Sequence, residues 1–200
     1  MMSVEEISRR ALTIEGVLAA QTCQEWIQWA ESEGFEAADF QGKRVKGRVA
    51  AVRNNDRVIE DNPQRALGLW EGILPHLPQH VRAFDPMRRG ALGRHEAFGL
   101  NPRFRWYRYH PGQRFKPHVD RMFQAPDGAV SLWTVLVYLN GVEQGGQTRV
   151  SLDEKGKKSA LVEPSAGLVL CFDHDVLHEG VEVNKGVKYV LRTDIMYRRV

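Results

Sequence analysis

Two side chains that commonly bind metal ions, His118 and Asp120, stand two residues apart in the segment FKPHVDRMF. In an extended strand, residues i and i+2 point to the same face and lie about 6.6 Å apart along the chain. An imidazole nitrogen and a carboxylate oxygen can therefore converge on one ion. Two histidines and one carboxylate on one triangular face form the ligand set of non-haem Fe(II) sites. The pair thus requires a second histidine, supplied by a neighbouring strand.

Two candidates for that histidine, His174 and His178, lie near the C-terminus in the segment FDHDVLHEG. Ten residues after His178 comes Lys188, and Arg192 follows four residues later. Because side chains alternate along a strand, Lys188 and Arg192 are predicted to share one face. A buried base of this kind can bind a carboxylate through a charge-assisted hydrogen bond.

The elements that must position these residues begin with two predicted helices. Apolar residues at helical spacing predict a helix over residues 19–35, with Thr22 as its N-cap and Gly34 near its end. The pair Asn62-Pro63 is typical of a helix start and predicts a second helix.

After these helices the spacing of apolar residues changes from the helical period to the alternation of β-strands. Residues 79–102, rich in Pro, Gly and Arg, are predicted to form a long connection. Beyond residue 101 the segments RFRWYRYH, SLWTVLVYLN, GGQTRVSL, GLVLCFD and VKYVLRTDIMYRRV predict at least five strands. Two helices followed by such strands predict an α+β, mainly β fold, in which a barrel or sandwich carries the helices on one outer face.

Length and composition limit the class of protein. The 200 residues fit a single domain, with a helical N-terminal part over about residues 1–100 and a β core over about 101–200. With 42% apolar and 26% charged residues, the chain is typical of soluble globular proteins, and no apolar run is long enough to cross a bilayer. Cys23 and Cys171 are predicted to be buried free thiols in a reducing compartment, so we expect a cytoplasmic protein without a signal peptide. A net charge of +3 does not by itself predict nucleic-acid binding.

Four motifs in this order resemble the iron(II)- and 2-oxoglutarate-dependent dioxygenases, especially the prolyl 4-hydroxylase and lysyl hydroxylase branch. RYHPGQRFKPHVD is similar to the branch's segment with a Tyr, a Gly-containing turn and Pro-His-x-Asp. The branch's paired strand is resembled by LVYLN, and its Gly-Gly-x-Thr turn by GGQTRV. Its distal-histidine segment is resembled by HEG followed by GVKYV. The resemblance covers roughly residues 100 to 198. It implies a double-stranded β-helix, a small jelly roll, in agreement with the strand count.

The resemblance also implies the metal ligands. His118, Asp120 and His178 correspond to the iron-binding triad. We prefer His178 to His174 as the third ligand because His178 is followed by Gly180 and, ten residues later, by the basic residue Lys188. We expect His174 to be a hydrogen-bonding neighbour. The remaining iron positions are implied to take 2-oxoglutarate and dioxygen.

The far carboxylate of 2-oxoglutarate needs a cation. Lys188 matches the position of the branch's Lys or Arg, but Arg192 is a departure from the pattern. Either base could bind the C5 carboxylate while the other pairs with Asp194. Tyr109 corresponds to the tyrosine that faces the co-substrate, and Tyr138 with Thr134 on its face are further hydroxyl candidates.

A polar segment, RVAAVRNNDR, precedes the second helix. Its residues Arg53, Asn55 and Arg57 either cap that helix or form a substrate-binding hairpin over the iron. Arg103 and Arg105, alternating with aromatic residues, either line the mouth or face solvent. The sequence leaves both alternatives open.

The implied activity is a dioxygenase reaction that couples decarboxylation of 2-oxoglutarate to succinate with hydroxylation of a C–H bond, with ascorbate as an optional reductant. We expect the substrate to be a peptidyl or amino-acid side chain in a peptide, protein or small molecule, and we expect no membrane partner. Two alternatives remain. One is a dioxygenase that demethylates nucleic acid, suggested by basic loops and by Arg192 and Arg198; the other is a non-catalytic metal-binding sensor or scaffold.

Overall fold

The computed structural model describes residues 2–38, 40–41, 51–84, 92–153 and 156–200. It is built from β-strands with two α-helices in the described ranges.

Both predicted helices are present. Helix α1 (Ala20–Glu33) begins after Ala19, which makes no side-chain capping bond, so the prediction of Thr22 as the N-cap is wrong. It ends as predicted at Gly34, whose φ of 83° belongs to the left-handed region that favours glycine. Helix α2 (Pro63–Ile73) begins as predicted, since the Arg65 N–H donates to the Asn62 side chain at 2.9 Å. A 3-10 turn (Leu74–His76) follows it.

The strands of the described residues are, in chain order, β1 (Ser3–Ser8), β2 (Ala11–Glu15), β3 (Glu36–Ala37), β4 (Phe40–Gln41), β5 (Ala51–Arg53), β6 (Asp56–Asp61), β7 (His80–Phe84), β8 (Leu92–Leu100), β9 (Arg103–Tyr109), β10 (Phe115–His118), β11 (Val130–Tyr138), β12 (Gln144–Gly145), β13 (Thr148–Ser151), β14 (Ser159–Val162), β15 (Val169–Asp173), β16 (His178–Gly180), β17 (Val183–Lys185) and β18 (Lys188–Arg199).

These strands form two main sheets in which neighbouring strands are antiparallel. The ten-stranded sheet has the order β1-β2-β15-β11-β18-β9-β6-β3, with β8 paired to β18 and β7 paired to β8. The six-stranded sheet has the order β14-β13-β16-β10-β5-β4, and β12 pairs with β17 separately. LVYLN, in β11, therefore lies in the large sheet, whereas GGQTRV leads into β13 of the small sheet. The two segments pair with different strands, LVYLN with β15 and β18 and GGQTRV with β14 and β16.

Three layers result from this arrangement. One hydrophobic cluster joins both helices to the outer face of the large sheet and includes Cys23, Trp70 and Trp106. A second cluster fills the space between the two sheets and includes Tyr138 and Phe172. The helices thus cover one outer face, as predicted, and the inner faces of the two sheets enclose the interior.

The first half of the chain contains more strand than its sequence predicts. Strands β1 and β2 precede α1, and β2 pairs with β15 in the large sheet. Residues 79–102 are not a connection, because β7 and β8 lie within them and β8 pairs with the end of β18. The segment LGRHEAFGL contains glycines and charged residues of low strand propensity, so pairing with β7 and with the distant strand β18 makes it extended.

None of the helices in the described ranges is long and apolar enough to cross a bilayer.

Candidate active site

The predicted triad comes together at one end of the small sheet. His118 ends β10 and His178 begins β16, and the two residues are direct partners in the antiparallel pair. Asp120 follows two residues later, with its N–H donating to the His174 carbonyl at 2.9 Å. The ligand atoms of His118, Asp120 and His178 all lie within 4.8 Å of one another. One ion can therefore contact all three.

Backbone contacts orient both imidazole rings. Nδ1 of His118 lies 2.8 Å from the Lys116 carbonyl, and Nδ1 of His178 lies 2.9 Å from the Val176 carbonyl. Because a carbonyl only accepts, each Nδ1 carries the proton and each Nε2 keeps a free lone pair. These Nε2 atoms lie 3.9 and 3.7 Å from the Asp120 carboxylate oxygens.

The histidines are held in the neutral form that binds metal. Desolvation by burial lowers the pKa of His178 to about 4 and also lowers the pKa of His118. Neutral imidazoles need not release a proton before they coordinate a metal near neutral pH.

Two side chains hold the Asp120 carboxylate. The Thr134 hydroxyl donates to Oδ2 at 2.5 Å, and Nη2 of Arg192 lies 3.1 Å from Oδ1. Burial raises the pKa of Asp120, but the attraction of Arg192, aided by His178 and the Thr134 hydrogen bond, outweighs burial and lowers it. Asp120 is therefore an ionised ligand in a fixed orientation. Thr134, predicted to face the co-substrate, contacts this ligand instead.

Replacing Thr134 by valine should weaken metal binding about tenfold, because a hydrogen bond to a metal-binding side chain typically contributes about 10–100-fold in affinity. Mn(II) titration by calorimetry measures the change. Thr134→Ser keeps the hydroxyl and should restore most of the affinity. Equal Mn(II) affinity in the valine variant and the wild type would contradict this role.

Arg192 belongs to a buried network behind the triad. Its Nη2 also donates to Asp194 Oδ1 at 3.1 Å, while Nη1 of Arg105 lies 3.5 Å from Asp194 Oδ2. His174 Nε2 lies 3.5 Å from Asp194 Oδ1, as expected of a neighbour rather than a ligand. Burial opposes ionisation of Asp194, but Arg192 above all keeps its pKa at about 2.

Lys188 lies alone at the bottom of the cavity between the sheets. Its side chain is almost fully buried, with Nζ 5.6 Å from the Tyr109 ring centre and 5.2 Å from that of Tyr138. No carboxylate of the described residues lies within ion-pair distance of Nζ. Desolvation lowers the pKa of Lys188 to about 7. The cavity that contains Lys188 is also lined by His118, Asp120 and His178.

The two predicted tyrosines flank this lysine and are both buried. The Tyr138 hydroxyl donates to Thr148 Oγ1 at 2.7 Å, so Tyr138 is already engaged. Tyr109 lines the cavity, and burial raises the pKa of both hydroxyl groups. Each therefore stays a neutral hydrogen-bond donor.

The polar segment before α2 reaches the site at one residue. The Arg53 guanidinium lies 5.6 Å from the Phe115 ring centre and 5.9 Å from that of Tyr107. Arg57 is the strand partner of Tyr107. Asn55 is fully buried between the sheets, and its side chain donates to the Asp56 carbonyl. Asn55 thus supports the turn rather than facing the cavity.

Two aromatic residues of the cavity, Tyr107 and Phe115, were not predicted from the sequence. Tyr107 stands two residues before Tyr109, so strand alternation could have found it. Phe115 stacks on His118 at 3.6 Å between ring centres although it is three residues away. A register shift between Phe115 and His118 turns both rings to one side, and alternation alone predicts the opposite.

Residues 104–193 match the family profile of the 2OG-Fe(II) oxygenase superfamily. The matched segment is 90 of the 200 residues, a little under half of the chain. Probable prolyl 4-hydroxylase 3 of Arabidopsis thaliana is 32% identical to this chain over 40% of this chain and 37% of its own length. The chain thus spans little more than a third of that curated relative.

Solved structures share the fold of this chain. The 2OG complex of the viral collagen prolyl hydroxylase from Paramecium bursaria Chlorella virus-1 has a TM-score of 0.59 and 19% identity, covering 94% of this chain and 96% of that chain. A prolyl hydroxylase from Trichoplax adhaerens, solved with a hypoxia inducible factor peptide fragment, has a TM-score of 0.58 and 18% identity. The match covers 92% of this chain and 82% of that chain. The likeness confirms the predicted double-stranded β-helix.

The site fits Fe(II) and 2-oxoglutarate, the cofactors in the name of the matching family profile. Two neutral imidazoles and one ionised carboxylate are the donors that Fe(II) takes on one face of an octahedron. The buried cation of Lys188, without an anionic partner in the described ranges, matches the far carboxylate of 2-oxoglutarate. The predicted use of ascorbate stays a prediction.

Proposed function

We propose that this chain is an Fe(II)- and 2-oxoglutarate-dependent dioxygenase that hydroxylates a peptidyl side chain, with proline as the first candidate. The observation that carries the proposal is the triad of ligand atoms within 4.8 Å of one another beside a buried, unpaired lysine. The prolyl hydroxylase names of the relatives support the choice of a peptide substrate.

The chain has candidate ligands for the iron and for 2-oxoglutarate. His118, Asp120 and His178 would hold the iron, which supplies the redox chemistry that activates dioxygen while 2-oxoglutarate is decarboxylated to succinate. Lys188 would hold the C5 carboxylate of 2-oxoglutarate, and the Tyr109 hydroxyl would donate a second hydrogen bond. A hydrogen bond between two charged groups in a buried cavity is about twice as strong as a neutral one.

Lys188 is a better anchor for the co-substrate than Arg192. Arg192 already contacts two carboxylates, those of Asp120 and Asp194, each at 3.1 Å. No carboxylate of the described residues contacts Lys188, and its buried positive charge is unfavourable until an anion binds beside it. We therefore assign Lys188 to the C5 carboxylate and Arg192 to the orientation of Asp120.

Aromatic rings exclude water from the triad. The Phe115 ring stacks on His118, and the Phe172 ring centre lies 4.4 Å from that of His178. Excluding water strengthens the electrostatic contacts within the site and limits side reactions.

Succinate release tests the proposed function. The purified chain with Fe(II), ascorbate and 2-oxoglutarate should form succinate, and a proline-containing peptide should increase the rate and gain the mass of one oxygen. The variant His178→Ala, with one ligand removed, is the control and should form none. If the wild type releases no more succinate than this variant with any peptide pool, the proposal is wrong.

We also propose a cytoplasmic location. Cys23 and Cys171 are both buried free thiols, as predicted, and such thiols are typical of a reducing compartment.

A further inference from the structure

We infer that the arginines around Tyr107 form a binding site for an acidic residue of the peptide substrate. The inference rests on the proposed function and specifies its substrate: a peptide with Asp or Glu near the hydroxylated residue. The site consists of Arg53, Arg57 and Arg105, which we call the arginine cluster.

Strand pairing places the arginine cluster on the inner face of the large sheet. Tyr107 lines the cavity together with His118 and Asp120, so its side chain marks that face. Arg57 is the direct antiparallel partner of Tyr107, and such partners have Cβ atoms about 4.5–5.5 Å apart on one face. Arg105 stands two residues before Tyr107 on the same strand and shares the face.

Arg53 completes the cluster from the small sheet. Its Nε donates to the Ala38 carbonyl at 2.9 Å, which fixes the guanidinium between the rings of Tyr107 and Phe115. Phe115 itself stacks on His118. Only the Phe115 ring therefore separates the Arg53 guanidinium from the metal ligand His118.

The cluster has more positive charge than its surroundings neutralise. Arg105 shares Asp194 with Arg192, and its side chain remains 25% exposed. Within the described ranges, no carboxylate lies within ion-pair distance of Arg53 or Arg57. Two guanidinium groups are therefore available, and guanidinium is the side-chain group best suited to bidentate binding of a carboxylate.

Exposed apolar residues next to Asp120 in the chain favour a peptide ligand. Val119, Met122 and Phe123 directly follow the first metal ligand and are 50%, 42% and 44% exposed. Exposed apolar side chains grouped beside a site are typical of a contact surface. A peptide with an acidic residue on one side of its reactive residue and an apolar one on the other matches both surfaces.

The charges around the cluster are unfavourable for nucleic acid. Glu36 is the strand partner of Arg57, and Asp61 lies at the outer end of β6, 3.5 Å from Arg103. A continuous row of phosphates would pass beside these carboxylates, and like charges in an interface weaken binding. A single acidic residue would lie beside fewer of these carboxylates than a row of phosphates.

Peptide binding tests the inference. Two fluorescein-labelled peptides, identical except that glutamates or glutamines flank one proline, are titrated with the full chain carrying 2-oxoglutarate and Mn(II) in place of Fe(II). Anisotropy should show about tenfold tighter binding of the glutamate peptide at low salt, and the preference should shrink as salt rises. In Arg57→Gln the preference should fall several-fold, whereas in Arg149→Gln, which changes a 46% exposed arginine of the small sheet, the preference should remain unchanged.

A charge reversal separates binding from folding. Arg57→Glu should prefer the same peptide with lysine flanks, which a misfolded variant would not do. The inference is overturned if the wild type binds both original peptides equally, if Arg57→Gln keeps the preference, or if a single-stranded oligonucleotide binds more tightly than the glutamate peptide. Mn(II) and 2-oxoglutarate titrations report on the proposed function separately, since they do not depend on the peptide.

Discussion

Asp120→Ala is expected to lose at least about 100-fold in Mn(II) or Fe(II) affinity, and with it succinate formation. Asp120 is the ionised member of the triad, and His118 and His178 are held neutral by burial. Without the carboxylate, two neutral imidazoles must bind a doubly charged ion in a buried site. Calorimetric titration with Mn(II) measures the loss directly.

The fold of this variant should survive. Arg192, which contacts Asp120, keeps its ion pair with Asp194, so the substitution leaves no buried charge without a partner. Asp175→Ala is the matched control because the Asp175 side chain is 85% exposed. Its Mn(II) affinity should equal that of the wild type. Tight Mn(II) binding by folded Asp120→Ala would remove Asp120 from the metal site.

Lys188→Met is expected to weaken 2-oxoglutarate binding by about 100-fold or more, because truncating one partner of a buried, hydrogen-bonded charge pair costs about 2–5 kcal/mol. Methionine fills a similar volume without charge, so the Mn(II) affinity should not change. Lys185→Met changes a 70% exposed lysine three residues away and should bind 2-oxoglutarate normally. If Lys188→Met binds the co-substrate as tightly as the wild type, Arg192 becomes the anchor instead.

The pH dependence of 2-oxoglutarate binding follows from the pKa of Lys188. In the free protein burial lowers this pKa from 10.5 to about 7, and only the protonated amine attracts the dianion. Above pH 7 binding must therefore take up a proton, and affinity should fall by about tenfold per pH unit. The Lys188→Met variant should lack this dependence between pH 7 and 9. Calorimetry in buffers of different ionisation enthalpy measures the proton uptake.

The same lysine should reduce the stability of the protein without co-substrate. Between pH 7 and 10.5 the unfolded chain holds the Lys188 proton more tightly than the folded chain, so the stability contribution of this group rises with pH across that window. Below pH 7 the full cost of burying the charge is present. We expect Lys188→Met to have a higher Tm than the wild type at pH 7, measured by calorimetry without 2-oxoglutarate. A lower Tm would contradict the burial of an unpaired charge.

The chemistry of the site could be predicted from local sequence. The spacing of His118 and Asp120, the histidine at 178 and the base at 188 belong to short segments whose order matches a known pattern. The strands of the second half were also predictable, because alternation of apolar and polar residues reports which face of a sheet is buried. Asn62-Pro63 indicated a helix start for an equally local reason, the geometry of the first helical turn.

Other features depended on contacts between distant segments. Strand β8 is extended because it pairs with β18, about a hundred residues later, and its own residues do not favour that state. Phe115 reaches His118 only through a bulge in the pairing of β10 with β16. Neither a partner nor a register can be read from one segment alone.

The choice between Lys188 and Arg192 as the residue that binds 2-oxoglutarate also depends on contacts between distant segments. The spacing of the residues places both bases on one strand face and predicts a His-Asp-His triad near them. Their surroundings depend on the packing of the sheets, which puts Arg192 between the carboxylates of Asp120 and Asp194 and buries Lys188 between two tyrosine rings. The physical reason is that a side chain's charge state and partner depend on burial and on neighbours brought in by other strands, and these are properties of the packed sheets rather than of the strand that carries the residue.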